Sequence, residues 1–216
     1  MKFSIVSVMT KVTPTHHDYL PAAGRDALLP FYDLMTRLYG VGWAHRRLLS
    51  RSDLSPGQRV LEIGCGTGNL AVAAIRAAPG IALTAIDPDP LALQRAHRKS
   101  AEIDFERGYA QELRFGGGVF NRVLSAFMLH HLDDDATKSA VAELFRVVRP
   151  GGSVHIVDFV ELGHTFSRRN HPTFRSTEAT SELLYQAGFT VAEPDVLRRR
   201  MLGTIAFYTA VKDEVR

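Results

Sequence analysis

The sequence predicts an α/β fold, with a mostly parallel sheet and helices packed on both faces. Three observations carry this expectation. Short apolar runs alternate with helix-like stretches along the chain, and parallel strands need such crossovers to connect them. The first run, Val60–Ile63, leads into glycines at alternate positions, Gly64, Gly66 and Gly68, and a helix-like stretch over 69–78 follows at once. The second run, Ile81–Ile86, ends on Asp87, a carboxylate roughly 20 residues past the glycines, as in strand–loop–helix–strand nucleotide sites.

The remaining elements follow in order. Residues 91–100 read as a helix, 103–106 as a short strand and 119–125 as the fourth strand. Asp133, Asp134 and Asp135 start a helix, because acidic groups meet the positive end of its dipole and supply a cap. That helix runs to about Val148 and is stopped by Pro150-Gly151-Gly152. Residues 153–159 make the fifth strand. A helix over 177–187 ends at Gly188, and 190–201 and 203–212 read as two tightly joined strands. No internal repeat or low-complexity tract interrupts this alternation.

Composition sets the outer bounds. With 216 residues, 45% of them hydrophobic, the chain can bury one substantial core, so a single domain is expected over 16–216, led by a disordered extension over 1–15. Its one cysteine, Cys65, excludes intramolecular disulfides and the usual zinc clusters and suits a reducing cytoplasm. Phe3–Met9 is apolar but too short for a membrane-spanning helix. The net charge is only +3. Arg198-Arg199-Arg200 fits an anionic partner about as well as ordinary exposed strand positions.

The glycine loop says most about function. Dinucleotide loops read G-x-G-x-x-G, whereas this one reads G-x-G-x-G, with no Lys or Arg to meet a phosphate. Glu62, two residues before the first glycine, would repel phosphate, yet it suits a ligand carrying an ammonium and a sulfonium. Asp87 fits a ribose diol, since its two oxygens can accept from both hydroxyls. The plainer role for Asp87 is a helix cap, which Asp89 fills better from its position.

Four blocks in order, Val60–Gly68, Gly108–Phe115, Phe127–Leu132 and Val148–Gly152, make the chain resemble the class I S-adenosylmethionine-dependent methyltransferases. The resemblance is to the small-molecule group reading VLEIGCGTG, GDAxxLPF, FVLHHL and LRPGG. It implies a Rossmann-like sheet of seven strands with a C-terminal antiparallel hairpin. It also implies an N-terminal helical cap over 16–54 on a cofactor-binding core over 55–216. S-adenosylmethionine is the implied cofactor, held by Glu62, Gly64, Cys65, Gly66, Gly68, Asp87 and Pro88. In the adenine block this chain has Tyr109 where the family usually has Asp. The Ala110 backbone can still reach the ring, and Tyr109 can stack on it. Gln111, or the neighbouring Glu112, can replace the missing acceptor. Ser125 and Ala126 line the methionine end.

His130 is the candidate general base and an acceptor-pocket residue, because imidazole titrates near neutrality. Tyr19, Tyr32, Arg168 and His171 complete the expected pocket. The function implied is methyl transfer to the O, N or C of a small molecule. The alternative is a non-catalytic S-adenosylmethionine-binding subunit that supports a partner protein. Neither nucleic acid, nor a metal, nor stable membrane insertion is expected, and a homodimer is left open.

Overall fold

The computed structural model describes residues 41–162, 174–199 and 203–214. Its strands are β1 (Arg59–Ile63), β2 (Ala82–Asp87), β3 (Asp104–Arg107), β4 (Phe120–Ala126), β5 (Val148–Leu162), β6 (Thr190–Val191), β7 (Asp195–Arg199) and β8 (Gly203–Val211). They form one sheet in the order β3-β2-β1-β4-β5-β8-β6, with β7 also paired to β8. Strands β1 to β5 are parallel, while β8 is antiparallel to β5, β6 and β7. The order reverses between β1 and β4, and a ligand crevice forms at the carboxyl ends of strands on either side of such a reversal.

Both faces of the sheet are covered, which explains the continuous apolar runs. Helices α1 (Val41–Ser50), α2 (Asn69–Ala77) and α3 (Pro90–His97) lie over Val60, Leu83, Leu124 and Phe207. Helices α4 (Asp134–Val147) and α5 (Thr177–Gln186) lie over Leu61, Val123, Ile156 and Tyr208. Neighbouring residues such as Val60 and Leu61 therefore serve different cores, as the two-residue strand period requires. The caps sit where the sequence placed them. Asp89 accepts from the Leu91 and Ala92 N–H groups at 2.8 and 3.3 Å, and Asp133 accepts from Ala136 N–H at 2.8 Å.

Three details differ from expectation. The sixth strand is divided into β6 and β7 around Ala192–Pro194, giving eight strands instead of seven. Pro194 has no N–H to give to the ladder, so pairing lapses there. The fifth strand starts at Val148, so Pro150-Gly151-Gly152 lies inside β5 instead of only ending a helix. A Cβ on Gly152 would sit 2.8 Å from Val148 Cγ1 and 2.9 Å from Asn121 O, so only glycine fits between these neighbours. The strand also continues to Leu162, past its expected end at Phe159.

Of the expected cap, α1 is a structural layer of the core, with Ala44, Leu48 and Leu49 buried in it. Residues 1–40, including Tyr19 and Tyr32, lie outside the described residues, as do Arg168, His171 and Arg200. No described helix is long and apolar enough to cross a membrane.

One buried group gives the fold a pH dependence. His155 on β5 is 3% exposed, with Nε2 2.9 Å from Ser153 Oγ. Burial, helped by the charges of Arg122 and Arg51, lowers its pKa to about 4. Above the ordinary value near 6.5 the ring is neutral whether folded or unfolded. As pH falls below that, the unfolded chain takes a proton that the folded chain refuses until about pH 4, so stability drops. His155 alone accounts for about 2 kcal/mol between pH 7 and 5. Urea unfolding at the two pH values checks this, and a loss no smaller in His155→Gln would contradict it.

Candidate functional site

The loop after β1 is shaped for close approach. Gly64 has φ 69, and a Cβ there would overlap the Met128 side chain. Gly66 has φ 52, and a Cβ there would meet nothing within 4 Å. The first glycine is thus demanded by packing. At the second, open space lies above the loop where a ligand can reach the backbone. Cys65 between them is buried, and its N–H donates to Ile86 O at 3.0 Å. Burial and the charges of Glu62 and Asp87 push its thiol well up, so it packs and does not act as a nucleophile.

Two carboxylates underlie this loop. Glu62, on β1, is 2% exposed, and its Oε2 has no hydrogen-bond partner. Burial raises its pKa well above the ordinary range, the charge of Asp87 adds to that, and the Ala71 N–H opposes it. Asp87, the last residue of β2, is also buried. Its Oδ2 accepts from Gly66 N–H at 2.7 Å and its Oδ1 from Asp89 N–H at 2.9 Å. Burial lifts its pKa to about 6 against the pull of those two N–H groups. Each carboxylate oxygen can accept twice, so both keep capacity for a further donor. A buried acidic pair of this kind is costly unless a cation or several donors join it.

The other expected contacts lie around the same sheet edge. Gly108 N–H donates to Asp87 O at 3.2 Å, so the loop bearing Tyr109, Ala110 and Gln111 leaves from beside Asp87. Tyr109 pairs with Glu112 in a short bridge, and Ala110 is buried. Pro88 is half-buried between Asp87 and the capping Asp89. Ser125 and Ala126 end β4, and the Ser125 Oγ is buried without a hydrogen-bond partner. Among the described residues, no three His, Cys, Asp or Glu side chains group to hold a metal ion.

Past β4 the chain turns sharply. Phe127 takes φ 56, uncommon for a residue with a side chain, and its N–H donates to Val157 O at 2.8 Å. That turn leads into a single 3₁₀ turn, Leu129–His131. His130 there is 5% exposed and meets Asp158 of β5 twice. Its Nδ1 lies 2.6 Å from Asp158 Oδ1, and its backbone N–H donates to Oδ2 at 3.1 Å. Burial alone would raise the Asp158 carboxyl. The His130 ring, by charge and hydrogen bond, and the Phe159 N–H outweigh burial and hold it below its ordinary value. An ionised Asp158 accepts the Nδ1 proton, which assigns the Nε2 lone pair as the basic one. Around the imidazole stand the half-buried rings of His131, Phe159 and Phe174, with centroids 4.1, 5.2 and 6.1 Å away.

Asp158 escaped the sequence reading because it lies within an apolar strand run. The signal was there: a carboxylate in a strand covered on both faces needs a partner. Arg175, which holds the same turn from the other side, gave no such signal.

Comparison with known proteins bears on the family and the fold. Residues 60–152 match the family model described as a methyltransferase domain. Over that stretch, under half of its length, the chain is similar to methyltransferase domains. A demethylmenaquinone methyltransferase of Thermus thermophilus is 31% identical over 61% of this chain and 62% of its own length. A ubiquinone/menaquinone biosynthesis C-methyltransferase of Desulfotalea psychrophila is 27% identical over 87% of this chain and 88% of its own length. The chain spans between 53% and 62% of the length of several such relatives. Among solved structures, a phosphoethanolamine N-methyltransferase of Haemonchus contortus superposes with TM-score 0.74 at 19% identity, over 89% of this chain and 58% of that one. That likeness shows the fold. The family match ends at Gly152, so Asp158 and Arg175 lie beyond it.

Proposed function

We propose that this chain is an S-adenosylmethionine-dependent methyltransferase acting on a small planar acceptor with an ionisable hydroxyl. The observation that carries the reading is one sheet edge bearing two sites side by side. One is an acidic strand–glycine loop pocket suited to a cationic nucleoside, and the other is a buried His–Asp pair suited to proton removal. The residues present fit the donor. The unpartnered Glu62 Oε2 suits its ammonium, Asp87 its ribose diol, the open space over Gly66 its close approach, and the Ala110 backbone its adenine. When bound, the donor supplies an electrophilic methyl group on a sulfonium.

The protein's own part is alignment, exclusion of water and proton removal. Alignment can supply about 7–11 kcal/mol of the barrier. His130 Nε2 takes the hydroxyl proton, and Asp158 balances the resulting imidazolium. The half-buried rings of Phe127, Phe159 and Phe174 favour a flat apolar acceptor. The names of the demethylmenaquinone relatives point the same way. Transfer then goes to that oxygen or to a ring carbon that the oxyanion makes nucleophilic. Incubation with methyl-labelled S-adenosylmethionine and a panel of phenols and hydroquinones tests this. Label should enter at least one of them. Donor binding with no transfer to any would favour the non-catalytic, partner-supporting reading.

Donor affinity should depend on pH. Ionised Glu62 and Asp87 attract a cation, but burial raises the pKa of both, well up for Glu62 and to about 6 for Asp87, so Asp87 is increasingly protonated as pH falls through that value. Affinity for S-adenosylhomocysteine therefore weakens as pH falls from 7 to 5, by up to about tenfold per unit for each proton expelled. Calorimetry in that range measures it, and a flat profile would contradict the assignment of these carboxylates.

A further inference from the structure

Arg175, just before α5, has no role in the proposed reaction so far, and it meets the His130 turn from outside. Arg175 Nη2 donates to Leu132 O at 3.2 Å and to Asp134 Oδ1 at 2.8 Å, and its Nη1 lies 3.4 Å from Leu129 O. Those two carbonyls bracket the 3₁₀ turn, one at its first residue and one just past its last. The Arg175 side chain is only 10% exposed, although Asp134 beside it is 74% exposed. Its neighbour Phe174 lays its ring over His130 at 6.1 Å with an interplanar angle of 17°. Asp158, Arg175, His130 and Phe159 also line one small cavity between β5, α4 and α5.

We infer that Phe174 and Arg175 form an outer clamp that positions His130 for proton transfer, completing from outside the hold that Asp158 exerts from within. The inference rests on the methyltransferase reading and adds a positioning residue to it. A bidentate guanidinium spans two carbonyls that a lysine ammonium, a point charge with no fixed fork, cannot hold together. With the turn stapled at both ends, the His130 backbone N–H and ring stay in register with the two Asp158 oxygens at once. Release of either end lets the ring rotate, and the proton then distributes between the two nitrogens. Arg175 acts through His130 and is not itself a catalytic residue.

The test reads the ring directly, without the acceptor. Nitrogen-15 chemical shifts of the His130 imidazole, assigned by their loss in His130→Gln, report which nitrogen carries the proton. In the native chain the proton sits on Nδ1. In Arg175→Met that signature moves toward a mixture of both tautomers, and in Arg175→Lys it is only partly restored. Asp134→Ala, an exposed change at a helix start, gives a smaller shift in the same direction and keeps the test usable if Arg175→Met fails to fold. S-adenosylhomocysteine affinity should hold in all three variants. An unaltered tautomer signature in Arg175→Met or Arg175→Lys, whatever happens to the melting temperature, would reduce Arg175 to a structural residue and overturn the proposal. A native ring without the Nδ1 proton would overturn the His130–Asp158 pair itself, and the clamp with it. Failure to bind S-adenosylhomocysteine in the native chain would instead overturn the donor site.

Discussion

His130→Ala lowers the methyl-transfer rate by about a hundred- to ten-thousandfold, the usual worth of a positioned base, while S-adenosylhomocysteine affinity is kept. The split follows from geography. His130 sits past the tip of β4 and is tied to β5, whereas the carboxylates proposed for the donor belong to β1 and β2. Asp158→Asn should cost a similar factor. An asparagine can keep the shape but not the charge, and it no longer fixes the proton on Nδ1 or balances an imidazolium. Initial rates with labelled donor, set beside calorimetry on the same variants, make the comparison. If rate and donor affinity fell together in His130→Ala, the residue would be a pocket wall and not the base.

Asp87→Ala is the second large effect. Loss of a charge-assisted pair of hydrogen bonds to the ribose weakens donor binding by about 1.5–3 kcal/mol, or roughly ten- to 150-fold. The structure adds a cause that spacing alone did not show. Asp87 Oδ2 also anchors the Gly66 N–H, and Gly66 is where space stands open against the loop. Truncation therefore removes one contact and loosens the loop that makes the others. Asp89→Ala serves as the control, since Asp89 caps α3 through Leu91 and Ala92. It should lower stability by about 1 kcal/mol and leave affinity intact. Unchanged affinity in Asp87→Ala, measured by titration, would remove the ribose assignment.

The half of the candidate site proposed for the cofactor could be assembled from sequence because its information is local. Strand, glycine loop, helix and the carboxylate of the next strand lie within residues 60–87, and each has a residue type that geometry demands. Gly64 illustrates the point, since its missing Cβ is what leaves room for Met128. The helix starts were local too, written as Asp89 and Asp133 in capping positions. The proton-transfer half was only half legible. His130 stood out, but Asp158 reaches it across 28 positions of sequence, through the parallel pairing of β4 with β5. No period or spacing encodes that meeting. Arg175 is harder still, because arginine near a helix start is ordinary on a surface. Only the fold shows it under the turn, bonded to carbonyls 46 and 43 positions away. The division of the sixth strand was readable in principle from Pro194, which a continuous ladder does not accept.

The fold also explains why the two halves adjoin. Strand order places β1 beside β4, so the tip that carries Glu62 and the tip that leads to His130 are neighbours. Nothing in the local sequence near either residue states this. It comes from the sheet reversing direction between those strands.

Calorimetric titration of the purified protein with S-adenosylhomocysteine, and then with S-adenosylmethionine, tests the central claim most directly. The buried, unpartnered Glu62 oxygen and the open glycine loop predict one site per chain, with micromolar affinity for both at neutral pH. Absence of binding to either nucleoside would contradict the donor site, and with it the methyltransferase function proposed for this chain.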